Sequence, residues 1–272
     1  MHDTASLTAG SYLLLWLLAT TVAILASHVA MGWARLARRH PAWRESWGAL
    51  LVAAGTLGTG LCAVFVLGQA AEVQAFAVGY SALWAGLLWL GACAGGFVVA
   101  WALAHYRRWW ALLGCGALLA ALSTGIQAGW VGAAGFRPGP IWNTELIAAG
   151  ALVLLIGLSV ALWLGFSATV NESGRRQLWR AVGSVVAGVT LAGAHQVLLQ
   201  ASGLDAQVGS VYARELPGTV LILLGGALAP MVLAMMGLDV HFRQQRRRHS
   251  SRGPGAAFAG RKQRKRRYGS YG

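Results

Sequence analysis

Charged side chains are scarce in this chain, and negative charge is the scarcest. Asp, Glu, Lys and Arg make up 11% of the 272 residues, while hydrophobic residues make up 57%. The core of a soluble domain of this length cannot cover so much apolar surface, so the composition excludes an ordinary water-soluble globule and requires lipid as solvent. The 22 Lys and Arg outnumber the 8 Asp and Glu, which gives a net charge of +14.

Cysteine is also rare. Cys62, Cys93 and Cys115 all fall inside apolar segments, and no two of them form a CxxC pair. This placement disfavours disulfide bonds, so we expect the three thiols to act as small packing groups. The sequence also lacks a nucleophile–base pair, paired carboxylates, a phosphate-binding glycine loop and an HExxH string, and we therefore expect no enzyme activity.

Seven long apolar runs, separated by short connectors, account for most of the chain. A helix of about 20 residues rises about 30 Å, which matches the hydrocarbon core of a bilayer. None of the runs alternates between apolar and polar positions as a barrel strand would, so we predict an all-α polytopic bundle of seven transmembrane helices. Pro230 is expected to kink the last helix. The predicted spans are residues 11–34, 48–71, 79–104, 110–134, 145–168, 181–203 and 217–239.

The basic residues set the predicted orientation. All but Arg137 and Arg214 of the 22 Lys and Arg lie in the C-terminal tail or in alternate connectors, at 35–47, 107–108 and 169–180. By the positive-inside rule, the N-terminus lies outside and the C-terminus lies in the cytoplasm. We therefore expect a multi-pass protein of the bacterial plasma (inner) membrane.

The even-numbered helices resemble one another. Each begins after an Arg/Trp-rich turn and passes through small residues toward the outer face. Aligning them brings Phe65, Gly129 and His195 into register at a spacing of about 65 residues, which predicts three copies of a two-helix unit. The predicted organisation is a short extracytoplasmic N-terminus (1–10), a membrane domain of three helix-pair repeats (11–203), a closing seventh helix (204–240) and an unstructured polybasic cytoplasmic tail (241–272).

The ends of these three helices resemble a known motif. The strings GLCAVFVLGQAA (60–71), TGIQAGWVGAAG (124–135) and GVTLAGAHQVLL (188–199) stand where the MHYT family of bacterial integral membrane sensors carries Met-His-Tyr-Thr-Gly-Met-like strings. The chain resembles this family over about residues 10–203. The resemblance implies a helical membrane domain that binds a metal, copper, through motif His and Met side chains and senses a diatomic gas such as oxygen, carbon monoxide or nitric oxide.

The motif residues themselves are changed in this chain. The histidine position holds Phe65 and Gly129 in the first two copies, and only His195 retains the imidazole. The three methionine positions hold Val or Ala. A soft ion such as Cu(I) needs several thiolate, thioether or imidazole ligands that converge on one point, so one histidine cannot hold it alone. The chain therefore resembles a degenerate family member, in which only one motif histidine remains.

Cys62 is the second residue that the sequence offers for a metal site. Counted from the inner ends of their predicted helices, Cys62 and His195 both lie about 21 Å up, so both are candidate ligands in one outer layer. The alternative is a neutral His195 imidazole that bonds a backbone carbonyl or Gln127, with Glu145 and Gln200 as further polar neighbours.

His28 is a second histidine within a predicted span. It lies about 12 Å below the outer layer, so it should not share a site with His195. We expect it to bond a neighbouring helix or to extend toward the cytoplasmic surface. Because an ionisable side chain in a span is a functional candidate by default, both histidines are candidates, with His195 first.

The tail carries two basic clusters and no apolar period, so we expect it to be unstructured. The clusters should set topology and bind anionic lipid headgroups, each charge contributing about 1 kcal/mol near the surface. A docking segment for a cytoplasmic signalling partner is the alternative, and nucleic acid is a less favoured partner. The clusters comprise Arg246, Arg247, Arg248, Arg261, Lys262, Arg264, Lys265, Arg266 and Arg267.

Three functions are compatible with these features. The first is an integral membrane sensor-like signalling protein of the MHYT type, which passes its signal to a partner by altered helix packing. The second is a structural or assembly membrane protein whose basic tail binds anionic lipid or a cytoplasmic partner. The third is a small-solute or proton carrier with His28, Glu145 and His195 along a polar path.

Reporter fusions test the predicted orientation. Alkaline phosphatase, which folds actively only outside the cytoplasm, should be active in the 204–216 connector and inactive after Gly272, because the tail carries the excess of Lys and Arg. Green fluorescent protein at the same two positions is the matched control and should fluoresce only after Gly272. Active phosphatase after Gly272 would contradict the orientation.

Overall fold

The computed structural model describes residues 2–38, 43–71, 78–106, 108–166, 173–203, 209–212 and 214–250. Within these ranges the chain forms seven helical rods, each long and apolar enough to cross a membrane. The predicted all-α class and the predicted seven long apolar helices are confirmed, and the apolar stretches end within a few residues of the expected positions. The first six rods are α1 (His2–Ala37), α2 (Trp43–Ala71), α3 (Ala82–His105), α4 (Trp109–Ala133), α5 (Thr144–Phe166) and α6 (Ser173–Ala201).

The seventh rod is made of three consecutive segments, namely α7 (Gly218–Leu223), a π-helical turn (Leu224–Leu228) and α8 (Ala229–Ser250). The π turn precedes Pro230, whose ring nitrogen has no hydrogen to donate to the turn before it. The Ala229 N–H donates to a carbonyl five residues earlier. The wider turn is thus the local response at the position where a kink was predicted.

Helix α8 ends at Ser250, so the prediction that the chain is unstructured from residue 241 was wrong for residues 241–250. Side-chain pairs one turn apart support this extension: Arg243 Nε lies 2.9 Å from Asp239 Oδ1, and Gln245 Nε2 lies 2.8 Å from His241 Nε2. Arg and Gln also favour helix, and basic side chains stabilise a helix C-terminus. The second basic cluster, at 261–267, lies outside the described residues, as do the side chains of the first, at 246–248.

Helices α1 to α6 form a closed ring. Each packs against the next in sequence, and α6 packs back against α1. Helices α2, α4 and α6 also contact one another, which places the even-numbered helices toward the centre, and α2 is the most buried of the seven spans. The seventh rod lies outside the ring against α1 and α2. This arrangement is the one that three helix pairs and a closing helix would produce, although the repeat itself stays a prediction.

Short strands tie the connectors together at one end of the bundle, which we call the strand end. These strands were not predicted, because two-residue strands carry no periodicity in sequence. The opposite end, where α1 finishes and α8 continues past residue 240, is called the basic end. The antiparallel pairs are β1 (Gly79–Tyr80) with β6 (Leu216–Pro217), β2 (Phe136–Arg137) with β5 (Gly209–Ser210), and β3 (Ile141–Trp142) with β4 (Ser202–Gly203).

Glycine sets the spacing between the central helices. A Cβ added to Gly60 of α2 would overlap the Cβ of Ala26 on α1, whereas a Cβ added to Gly55 would meet no atom within 4 Å. Lipid tails are as apolar as the helices, so close backbone packing of this kind replaces the hydrophobic effect as the force that holds such helices together.

The substitution Gly60→Ala tests this spacing. The added methyl group should force α1 and α2 apart and destabilise the fold by about 1–3 kcal/mol, the usual cost of overpacking. Gly55→Ala, on the same helix, is the matched control and should be neutral or stabilising by up to about 1 kcal/mol, since Ala is the better helix former. Thermal unfolding in detergent measures both, and equal melting temperatures would contradict the close contact.

Candidate functional site

A histidine and a glutamine are buried together in the half of the bundle nearer the strand end. His195 of α6 is 5% exposed and Gln127 of α4 is 4% exposed. The His195 Nδ1 and Gln127 Oε1 atoms lie 2.6 Å apart, so we assign the Nδ1 proton as the donor to the amide oxygen. Gln127 is therefore the partner that the sequence offered as an alternative to a metal. Glu145 and Gln200, the other predicted neighbours, are exposed.

Aromatic rings cover one side of His195. The Phe65 ring meets the imidazole edge-on at a centroid distance of 5.4 Å and stacks on the Trp130 indole at 5.6 Å. Tyr80 in turn meets Trp130 edge-on at 5.5 Å. Burial raises the pKa of the Tyr80 hydroxyl above its usual range, so this group stays neutral. The aromatic wall, defined as Phe65, Trp130 and Tyr80, thus joins α2, α4 and the strand end.

The three aligned motif positions take different places around this cluster. Phe65 and His195 are in ring contact, so they lie at one level of the bundle. Gly129 faces α3 instead, where a Cβ added to it would overlap Leu88. Its neighbour Trp130 takes the inward position and stacks on Phe65. The sequence alignment of the motif strings had not singled out Trp130.

Gly68 makes room for the imidazole. A Cβ added to this residue would overlap Nε2 and Cδ2 of the His195 ring. The Nε2 atom is buried and has no hydrogen-bond partner among the described atoms. The ring is therefore clamped between the α2 backbone on one side and Gln127 on the other, and only glycine at position 68 allows so close an approach.

A small cavity adjoins the pair. Its volume is about 30 Å³, and Ser123, Gln127 and His195 supply its polar lining. Ser123 Oγ and Gln127 Nε2 are buried without a hydrogen-bond partner among the described atoms. A buried water needs about 10–15 Å³ and two to four polar partners, so the cavity suits one or two waters or another small polar molecule.

Cys62 lies below the residues of α2 that contact His195. The imidazole contacts Phe65 and lies against Gly68, which are three and six residues, or about 4.5 and 9 Å of helix rise, farther along α2 than Cys62. A shared metal would need both ligand atoms within roughly 2.3 Å of one point. The equal heights expected from sequence assumed that helix ends are level, whereas α2 begins at Trp43 and α6 at Ser173, each several residues before the predicted start.

The described residues around His195 therefore do not form a copper-binding site. Among them, no group of three His, Cys, Asp or Glu side chains is close enough together to hold a metal. The cavity beside His195 is lined by Leu, Val, Phe, Ile, Ser and Gln side chains and offers no second soft ligand. Metal binding by His195 and Cys62 stays a prediction without support from their placement.

A second buried polar network lies nearer the basic end. The guanidinium of Arg180 donates to His28 Nε2 at 2.5 Å, and His28 Nδ1 lies 3.3 Å from Ser184 Oγ. The Ser184 hydroxyl donates to the Arg180 carbonyl at 2.7 Å. These bonds are mutually consistent if His28 is neutral, accepts at Nε2 and donates from Nδ1. The expectation that His28 bonds a neighbouring helix is borne out, since its partners belong to α6.

Arg180 was counted with a connector in the sequence, and this placement was wrong. It lies within α6 and is only 8% exposed. The positive-inside rule uses only the positions of basic residues in the sequence. It does not tell whether α6 begins before or after them. Arg180 and Ser184 are four residues apart at the start of an apolar helix, so they lie on the same helix face. This spacing could have predicted an inward-facing polar stripe.

An apolar cavity of about 40 Å³ separates the two networks. It shares Leu61 and Leu191 with the cavity beside His195 and includes Met31, whose sulfur lies 4.0 Å from Ser184 Oγ. Apart from Ser27, its lining is apolar. The described residues thus place polar groups at two levels with a hydrophobic layer between them.

Comparison of the chain with family models, with curated proteins and with solved structures found no match in any of the three.

A double-mutant cycle tests the central pair. Gln127→Leu should destabilise the fold by about 1–3 kcal/mol, because it leaves the buried His195 Nδ1–H without an acceptor. Adding His195→Leu removes the stranded donor, so the double variant should lose less stability than the two single losses combined. Thermal unfolding in detergent gives all three values, with the exposed substitution Gln200→Leu as the control. Additive losses would show that the two side chains do not interact.

Proposed function

We propose that the protein is a multi-pass protein of the bacterial plasma membrane, with its N-terminus outside, that acts as a sensor-like signalling protein of the MHYT type. The His195–Gln127 pair is the observation that carries this proposal. The His195 ring is held by one amide where the three even-numbered helices meet. An ionisable side chain inside a membrane-spanning bundle costs stability, so such a residue is a functional candidate by default. We define the input layer as His195, Gln127 and Phe65.

Helix α6 links the input layer to the basic end. It carries His195 near one end, Ser184 about three turns away and Arg180 about four turns away. A movement of α6 at the input layer therefore displaces Arg180 and Ser184, and both are hydrogen-bonded to His28 of α1. Because the interior is close-packed, the shift is passed on as a rigid displacement and is not absorbed locally.

Helix α1 then contacts α8. The indole N–H of Trp33 donates to the Met236 carbonyl at 3.3 Å, and the Arg243 guanidinium lies 5.4 Å above the Trp33 ring. A Cβ added to Gly32 would lie 3.3 Å from the side chain of Val240, so the two helices are in close contact here. The output in this proposal is a change in the position of α8, whose extension and basic tail face a cytoplasmic signalling partner.

The signal received at the input layer is not assigned to copper, because the described side chains supply no second soft ligand beside His195. The cavity there accepts only a molecule about the size of water, so a ligand that binds in it can contain only a few atoms. A diatomic gas, which the MHYT resemblance implies, is within this limit.

The basic end favours a second candidate, a structural or assembly protein whose tail binds anionic lipid. Helix α8 carries the backbone of the first basic cluster beyond the apolar segment, where its charges would meet lipid headgroups. The carrier hypothesis gains no such support, since Glu145 is exposed at the strand end and an apolar layer separates His28 from His195.

Distance measurements between two spin labels test the sensor proposal. In a background with Cys62, Cys93 and Cys115 replaced by Ala, labels are attached at Trp109→Cys and Gln245→Cys, both exposed near the basic end. Gln127→Leu should shift the distance distribution between the labels, because the input layer is coupled to α8 through α6 and α1.

One control and one further measurement separate the candidate functions. Gln200→Leu, an exposed substitution on α6, should leave the distance unchanged. If Gln127→Leu also leaves it unchanged while the protein stays folded, the input layer is not coupled to α8, and the structural candidate is favoured. Metal analysis of the wild-type protein, with its three cysteines in place, decides the copper question: stoichiometric copper that is lost on His195→Ala and on Cys62→Ala would establish the metal site.

A further inference from the structure

The ring of helices encloses the apolar cavity that separates the two polar networks, and we call this space the central cavity. Every helix from α1 to α6 contributes to its lining, and all of the lining residues except Leu57 are buried. Leu57 is half-buried, and its Cβ lies 3.4 Å from a Cβ added to Gly96 of α3. The central cavity is therefore an interior space whose lining comes nearest to the outer surface between α2 and α3.

Alanine side chains leave the central cavity open. Five of the six helices place a methyl group at its edge, where a larger side chain such as leucine would fill the space. Protein interiors seldom leave a gap larger than a water molecule, so a gap that six helices share needs a physical cause. The lining alanines are Ala30 and Ala34 of α1, Ala53 of α2, Ala100 of α3, Ala161 of α5 and Ala187 of α6.

The two polar networks prevent the helices from closing this gap. Toward the basic end, Arg180 bonds α6 to α1 through His28. Toward the strand end, His195 bonds α6 to α4 through Gln127. Each bond fixes the separation of the helices that it joins, and breaking it would leave a buried polar group without a partner. The apolar layer between the networks therefore cannot collapse while both bonds are kept.

Size and polarity together limit what the central cavity can hold. One buried water needs about 10–15 Å³ of cavity volume. The volume of about 40 Å³ thus has space for about three atoms of that size. A water also needs two to four polar partners, whereas the lining is apolar apart from Ser27. An ion would lose still more hydration energy on entering. Apolar cavities of this kind stay dry and take up small apolar molecules such as xenon.

We propose that the central cavity binds one small apolar molecule, a dissolved gas of about one to three atoms. Such molecules leave water for an apolar environment, so the hydrocarbon layer around the bundle supplies them to the cavity. A lipid chain or a ring compound is too large for the volume, and the lining excludes water and ions. The site thus selects by size and by lack of polarity, and it needs no metal ligand.

Occupancy of the central cavity would reach the input layer through two leucines. Leu61 of α2 and Leu191 of α6 line both the central cavity and the cavity beside His195. Leu191 lies about one turn before His195 on the same helix. Binding itself does not depend on the proposed signalling function, although its use as an input rests on that function. Binding is measured without the spin labels at the basic end, so the two proposals fail independently.

Methionine-methyl NMR of the full chain in nanodiscs under xenon pressure tests the proposal. Met31 lines the central cavity, whereas Met231 and Met235 are exposed on the outside of α8. The Met31 methyl signal should shift with xenon pressure along a saturating curve, because the cavity holds one atom. The Met231 and Met235 signals are the internal control. They should shift in proportion to pressure, since they report only xenon dissolved in the lipid.

Substitutions in α3 locate the bound xenon. Ala100→Leu fills the central cavity and should abolish the saturating shift of Met31. Ala100→Val adds less volume and should raise the half-saturation pressure several-fold, and it keeps the test open if the leucine variant does not fold. Ala94→Leu, the same change at an exposed position of α3, is the matched control and should behave like wild type.

Two results would overturn the proposal. The first is a Met31 shift in wild type that rises in proportion to xenon pressure, which would show that the cavity takes up no xenon. The second is an unchanged half-saturation pressure in folded Ala100→Leu and Ala100→Val proteins, which would place the bound xenon elsewhere. The Met231 and Met235 signals of each variant should match those of wild type at ambient pressure, which shows that the fold is intact.

Discussion

The polar groups buried in this bundle depend on partners within the protein, and this requirement fixes how the central helices are arranged. His195 finds Gln127 on α4, and Arg180 and Ser184 find His28 on α1. Each bond crosses from α6 to another helix, and a buried donor left without a partner costs more than the bond contributes. Helix α6 can therefore rotate or slide only if both networks rearrange, which is why the proposed signal is carried by this helix.

Close backbone contact is the condition that allows these bonds to form. The imidazole reaches Gln127 only because Gly68 leaves space for the ring on α2, and α1 reaches α2 only because Gly60 lies opposite Ala26. In lipid, such packing also supplies the attraction between helices. The same small residues thus determine both the stability of the ring of helices and the geometry of the proposed input layer.

The aromatic wall divides the molecule into two regions with different chemistry. On one side, Phe65 contacts His195 and the cavity that suits water. On the other side, Trp130 lines a cleft between α2, α3 and the seventh rod that is almost entirely apolar. Two stacked rings thus separate a small, partly polar cavity from an apolar cleft. A change of packing at this stack would reach both the cavity and the cleft.

The sequence by itself determined the class of the fold, the number of long apolar helices and the position of His195 within one of them, because hydrophobic run length and an ionisable residue within a run are local properties. It also named Gln127 as a partner of His195. Only the tertiary structure decided that Cys62 lies one to two turns along α2 from the residues that contact the imidazole, that Arg180 is buried beside His28, and that Trp130 forms the wall of a cleft. These facts depend on the tilt, rotation and relative height of separate helices. Contacts between distant residues set those quantities, and no local pattern records them.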